Sequence, residues 1–451
     1  MTKGGFELNG LATAIGSMPH VEPREACSLI LNYLPDISAW PQLPKKSFLE
    51  NMYVQFSEGF PGAIVEGERI WVDRSKDLSK PLEQLYTAYL ENNIEYGAIS
   101  ARYAAGFHAF LKEAKQKGRK AVKGQVTGPI SFGLTVTDQN RRPLLYDEVL
   151  ADAIAKHLRL KAAWQEKALR SVCPKTIISV DEPYLASMGS AFVSVSREQV
   201  IALLEEVLGG ISGLKAIHCC GNTDWSVVLQ TSLDILSFDA YNYAETLALY
   251  PAEVNSFLNR GGVIAWGIVP NEEQALKRET KASIIDRLEK AMRLLSKKGI
   301  SYDTIKSQCL ITPSCGLGSI SIEAAGRALE LLAAVSEELG EKVLVERVSP
   351  VRQVATPERL PRVICYECVN RYHLVAACPR CDTGVLVTTC PEEFNGVTKA
   401  VCNDCGSAIG LYIAMRERKA WLLAEPIEVT SAKSRKGSRK NIEREAPSAS
   451  K

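Results

Sequence analysis

A histidine and a cysteine two residues apart, in Ala216-Ile217-His218-Cys219-Cys220-Gly221, close an apolar run that reads as a β-strand. On an extended backbone residues i and i+2 project to one side, so an imidazole and a thiol would face the same spot. A nitrogen and a sulfur placed together are half of a tetrahedral zinc site. A second cysteine at a comparable strand end, Cys315 in Thr312-Pro313-Ser314-Cys315-Gly316, is a candidate second thiolate. Zinc held by one nitrogen and two thiolates, with a position open, is suited to activating a substrate thiol. Cys219 alternates to the opposite side and reads as packed rather than ligating.

Other strand ends carry residues for holding a substrate. Val180-Asp181-Glu182-Pro183 places two acids ahead of a proline-led loop. Such an acid can cap a helix, bind an arginine or, beside a metal, accept an amino group; Asp181 is the candidate for the last role. Ile15-Gly16-Ser17 opens a loop whose backbone N–H groups can hold a carboxylate. Gly124-Gln125-Val126-Thr127-Gly128-Pro129 reads as a tight turn after a strand.

The elements that must position these residues are visible between residues 8 and 345. Short apolar runs alternate with amphipathic stretches: 11–15, 120–126, 176–180, 214–217, 234–238, 262–266 and 309–312. Between them, Leu150, Ile154, Leu158 and Trp164 mark one helix face, and Ile284, Ile285, Leu288, Met292 and Leu295 another. Ser196 reads as a helix start, and Gly299 and Gly340 as helix stops. Strand–helix alternation implies a parallel sheet. Seven strands are apparent, and an eighth is expected within residues 45–100. A (β/α)8 barrel follows for residues 1–345, with Ser17, Thr127, Asp181, His218, Asp239 and Cys315 gathered at the carboxyl ends of its strands. An open doubly wound sheet would not bring so many strand ends together.

At 451 residues the chain exceeds one ordinary core. Residues 346–361 read as a linker and 362–412 as a small cysteine-rich module. Three Cys-x-x-Cys pairs stand there: Cys365 and Cys368, Cys378 and Cys381, Cys402 and Cys405. They imply one or more structural zinc ions in a zinc-ribbon-like fold, with the partition among sites open and Cys390 or His373 as further donors. Residues 430–451 form a basic tail expected to be disordered. A formal net charge of +2 gives no global pull toward nucleic acid or membrane. Apolar runs stay below the roughly 18 residues a spanning helix needs. Thirteen cysteines in a long chain without a signal peptide favour a soluble, cytoplasmic protein.

In order, Ile15-Gly16-Ser17, Val126-Thr127-Gly128-Pro129, Val180-Asp181-Glu182-Pro183, His218-Cys219-Cys220 and Pro313-Ser314-Cys315-Gly316-Leu317 carry a family resemblance. The chain resembles the superfamily of cobalamin-independent methionine synthase and uroporphyrinogen decarboxylase, and within it the catalytic barrel of methionine synthase. The likeness spans residues 8–340. It implies that His218, Cys220 and Cys315 bind a catalytic zinc, while Ile15, Ser17 and Asp181 hold the amino-acid part of homocysteine. The family's fourth ligand, a glutamate one strand later, falls on Asp239, one methylene shorter.

Three departures bear on the methyl donor. The folate-stacking tryptophan is replaced within Ser131-Phe132-Gly133-Leu134-Thr135. The proton-donating histidine is replaced within Ala265-Trp266-Gly267-Ile268-Val269. The amino-terminal half of the long plant and bacterial enzymes has no counterpart. A folate leaves as an amine and needs a catalytic acid; a methylcorrinoid leaves as a stable anion and needs none. The resemblance with these losses implies methyl transfer from a corrinoid, carried on a partner protein, to homocysteine, giving methionine. Transfer to another thiol such as coenzyme M is the nearest alternative. A uroporphyrinogen-decarboxylase-like enzyme lacks its arginine-rich loop here. A non-catalytic adapter acting through the zinc module is the alternative outside enzymology, and that module suits protein docking better than nucleic acid.

Overall fold

Eight strands build one parallel sheet: β1 (Leu11–Ala12), β2 (Ile37–Ala39), β3 (Ala121–Thr127), β4 (Thr176–Asp181), β5 (Leu214–Cys219), β6 (Ile235–Phe238), β7 (Val263–Val269) and β8 (Cys309–Pro313). The computed structural model describes residues 8–347 apart from 115–117 and 189–192, with side chains as far as residue 340. Beyond residue 347 it describes only the backbone of strands between residues 363 and 422. Each strand from β2 to β8 pairs with the next, and β8 pairs with β1. The remaining gap, between β1 and β2, is bridged just beyond the strands by the parallel pair Ser17 and Gln42. Met18 N–H donates to the Gln42 carbonyl (2.8 Å) and Gln42 N–H to that of Gly16 (3.1 Å). The result is a (β/α)8 barrel.

Alternation along the strands divides the barrel interior from its jacket. Ile37, Ala121, Ile177, Leu214, Ile235, Val263 and Leu310 form an apolar floor inside. The intervening Val122, Ile178, Ile217, Leu236, Ile264 and Ile311 face the helices. Above the floor the inward positions turn polar: Lys123 and Gln125, Ser179 and Asp181, His218, Ser237 and Thr312, all buried. The chemistry is therefore confined to one end.

Seven strands fall on the apolar runs of the sequence. The eighth, β2, does not lie within residues 45–100 but at Ile37–Ala39. Its three residues, with Ser38 in the middle donating to the Leu34 carbonyl, leave no apolar run to read. Residues 45–100 instead hold helix α2 (Met52–Gln55), a hairpin of Ala63–Glu66 with Arg69–Val72, and a helix at Ser79–Leu90. Gly340 does not stop the last helix, which runs Ile322–Arg347. A glycine inside a helix costs only about 1 kcal/mol, and buried Leu332, Val335 and Leu339 carry the helix through. Ser196 is a helix cap as expected, accepting from Gln199 N–H (3.1 Å). No helix among the described residues is long and apolar enough to cross a membrane.

The chain divides into two compact units, residues 1–342 and 343–451. In the second, strands Val375–Ala377, Val385–Thr388, Asn395–Cys402, Ala408–Ala414 and Lys419–Leu422 form an antiparallel meander. Val363–Ile364 pairs with Tyr372–His373. Cys402 ends a strand, while Cys365, Cys368, Cys378, Cys381 and Cys405, the linker and the basic tail lie outside the described residues.

The Gly128-Pro129 turn shows why two sequence motifs belong together. Helix α3 (Pro129–Thr135) starts there, and the Glu182 carboxylate accepts from Ile130 N–H (2.9 Å), Ser131 N–H (2.8 Å) and Ser131 Oγ (2.6 Å). Those are orphan donors of a helix start. A Cβ on Gly128 would sit 2.1 Å from that carboxyl group. Gly128→Ala should therefore lower unfolding stability by about 1–3 kcal/mol, read as a reduced denaturation midpoint; an unchanged midpoint would refute this packing.

Candidate metal centre

Strand β5 delivers His218 as its penultimate residue, and Cys220 follows directly. Cys315 comes two residues beyond β8. The ligand atoms of His218, Cys220 and Cys315 lie within 4.8 Å of one another. They converge in a cavity of about 410 Å³ at the carboxyl end of the barrel, which Ile15, Ser17 and Asp181 also line. All three substrate-holding candidates and three of the four ligand candidates thus share one chamber.

His218 and the Cys315 loop are each held from behind. His218 Nδ1 lies 2.9 Å from Ser237 Oγ. With Nδ1–H donating to that hydroxyl, Nε2 presents its lone pair, the usual arrangement behind a ligating imidazole. Nε2 is buried and has no hydrogen-bond partner among the described residues. An unpaired buried polar atom is costly, and a metal ion would satisfy it. The Cys315 loop is anchored by Leu317 N–H to the Ser17 carbonyl (2.9 Å) and by Ser314 Oγ to Asn271 Oδ1 (2.9 Å). A hydrogen bond between the thiols places their shared charge on Cys220, holding it well below the usual thiol range. The same bond, with burial, pushes Cys315 upward. One nitrogen and two sulfurs, one already biased toward thiolate, form a soft donor set that fits zinc.

Asp239 does not join this cluster. It caps helix α6 (Ala240–Leu247), with Oδ1 accepting from Asn242 N–H (2.9 Å) and Oδ2 from Asn242 Nδ2 (2.7 Å). Both oxygens are engaged in the cap. Cys219 faces the helices, fully buried, and burial pushes its thiol up to about 12.

Asp181 turns into the cavity from β4 while Glu182 turns outward to α3. Burial raises the Asp181 carboxyl above the usual range, opposed by the charges of Lys123 and His218. Ser179 Oγ donates to Asp181 Oδ1 (2.7 Å). Around the loop of Ile15 to Ser17, the N–H groups of Gly16 and Ser17 donate to no acceptor among the described residues.

Sequence reasoning missed one wall of the chamber, which includes Pro44, Lys45 and Asn51. Gln42, Glu50, Met52 and Tyr53 also line it, all from the stretch after the unrecognised β2. Glu50 is buried, and its carboxylate accepts from Ala105 N–H (3.0 Å) and Leu43 N–H (3.3 Å). Burial lifts it to about 7 despite those bonds. No periodicity marked this segment. Lys123, beneath the chamber, did carry a signal: a charge inside a strand buried on both faces.

Cys315→Ala should remove bound zinc from the barrel, and Asp239→Asn should leave it in place; metal analysis of the two variants against the wild type decides both. Lys123 gives a pH signature, because burial lowers its pKa from 10.5 to about 8. Below pH 8 the folded protein carries a disfavoured charge. From there up to 10.5 the native state binds fewer protons than the unfolded one, so stability rises with pH. Denaturation of Lys123→Met and wild type across this range should show their difference shifting by roughly 3 kcal/mol in the wild type's favour.

No family model and no curated protein matches this chain. Among solved structures it is similar to a B12-independent methionine synthase from Shewanella sp. W3-18-1 in complex with selenomethionine, at 18% identity and a TM-score of 0.48, covering 75% of this chain and 100% of that one. It is also similar to a methyltransferase from Methanosarcina mazei, at 11% identity and a TM-score of 0.45, covering 74% of this chain and 94% of that one.

Proposed function

We propose that the barrel is a zinc-dependent methyltransferase that methylates the thiol of homocysteine to form methionine, with a methylcorrinoid on a partner protein as donor. The observation that carries this reading is the chamber itself: His218, Cys220 and Cys315 converge within 4.8 Å beside Asp181 and the free N–H groups of Gly16 and Ser17. A thiol, an amino group and a carboxylate each have a counterpart there.

His218, Cys220 and Cys315 would hold the ion, and Asp239 would stay in its helix cap. Bound zinc supplies the Lewis acidity that keeps a thiol ionised near neutral pH, where a free thiol with a pKa near 8.5 is mostly protonated. Asp181 accepts the substrate ammonium, and Gly16 and Ser17 N–H groups receive its carboxylate. These contacts aim the sulfur at the methyl carbon, and orientation is the main contribution asked of the protein. The thiol proton goes to solvent. The sulfur–carbon bond forms as the carbon–cobalt bond breaks, its electron pair remaining on cobalt.

The donor assignment rests on what surrounds the chamber. Ala265 belongs to the apolar floor and Trp266 is fully buried among the jacket residues, so the segment replacing the family's histidine offers no acid. Ser131 is occupied with Glu182 and with Tyr184 N–H (3.0 Å). A leaving group that needs protonation is poorly served; a corrinoid is not. The paired cysteines of the second unit, read as structural zinc ligands, suit docking of that partner, and free thiols suit a reducing, cytoplasmic setting.

Zinc-loaded protein should form methionine from homocysteine with methylcobalamin and not with methyltetrahydrofolate, by product analysis. Coenzyme M should not replace homocysteine, since it has neither an amino group nor a carboxylate. Turnover with the folate, or none with either donor, would overturn the donor assignment.

A further inference from the structure

The polar layer beneath the chamber contains an ammonium that the chemistry above does not use. Lys123 on β3 is 4% exposed. Its Nζ donates to the Ile15 carbonyl at 2.6 Å. Placing an amine there is unfavourable, and burial pulls its pKa down while the Asp181 charge opposes this. A strand that needed only packing would carry an apolar residue at that position.

The next inward residue of β3 reaches the same loop. Gln125 lies against Gly16, where a Cβ would meet its amide carbon at 2.6 Å, and the Gly16 φ of +152° already favours glycine. Gln125 Nε2 also donates to the Trp40 carbonyl (3.1 Å), bracing the end of β2. Two successive inward side chains of one strand therefore fix the Ile15–Ser17 loop. Lys123 takes the carbonyl, and Gln125 leaves room only for glycine.

Carbonyl and following N–H point in opposite directions across a trans peptide. Drawing the Ile15 carbonyl to Lys123 turns the Gly16 N–H away from it, and neither that group nor Ser17 N–H has an acceptor among the described residues. Ile15 and Ser17 line the chamber. We propose that Lys123 is a positioning residue for carboxylate recognition: it clamps the Ile15 carbonyl so that the Gly16 and Ser17 N–H groups form a cradle for the carboxylate of the thiol substrate. The ammonium adds positive charge below that cradle, on the side away from solvent. This rests on the reading of the chamber as a site for an amino-acid thiol.

Calorimetric binding of two thiols to zinc-loaded protein tests it. Homocysteine carries the carboxylate; 3-aminopropanethiol is the same molecule without it. Wild type should bind homocysteine at least tenfold more tightly. Lys123→Met should lose that preference, weakening homocysteine about tenfold while 3-aminopropanethiol stays within twofold and zinc content is unchanged. Lys123→Gln, which keeps a donor but no charge, should fall between, and serves alone if the methionine variant does not fold. Preference retained in these variants, or both thiols weakened alike, sinks the role of Lys123 only. A wild type that does not distinguish the two thiols overturns the cradle and the amino-acid-thiol reading together.

Discussion

Ligands from β5 and from the loop after β8 can meet only if the sheet curls until its far strands face each other. That curvature is held by a narrow closure. Between β1 and β2 there is no ladder, only the pair Ser17 and Gln42 with its two backbone hydrogen bonds. The closure sits at the chamber rather than at the floor, so the seam of the barrel and the wall of the site are the same residues. Ser17 also receives the Cys315 loop through Leu317 N–H. Loosening the seam would therefore move Cys315, one of the three candidate ligands.

Neighbouring acids illustrate how alternation assigns work. Asp181 and Glu182 are consecutive and both buried, yet a pleated strand sends them to opposite faces. One faces the chamber with Ser179 as its partner; the other closes the start of α3 with three donors. Asp239 follows the second pattern. Its two oxygens are taken by the backbone N–H and the side-chain amide of Asn242 in α6.

Much of this was legible in the chain because strands buried on both faces read as apolar runs. Seven of the eight strands lie on such runs, and the side-by-side placement of His218 and Cys220 follows from period-two geometry. What escaped notice lacks periodicity. β2, with Ser38 between Ile37 and Ala39, has no apolar run to mark it, and with it went Gln42, Glu50, Met52 and Tyr53. Gly340 misled because packing outweighs one residue's propensity. The engagement of Asp239 in a cap and of Lys123 with Ile15 depends on distances between segments far apart in sequence, which no local pattern encodes.

The last helix offers a different kind of consequence. Running from Ile322 back along the barrel, it brings Ser336 Oγ within 2.9 Å of the Gly10 carbonyl, and Leu339 against Gly10. The first strand and the last helix of the barrel thus meet, as β1 and β8 already do in the sheet. In the sheet, the barrel's first and last strands are neighbours like any other pair. A barrel chain joined from the last helix to the first strand and opened in a surface loop elsewhere would keep every strand neighbour.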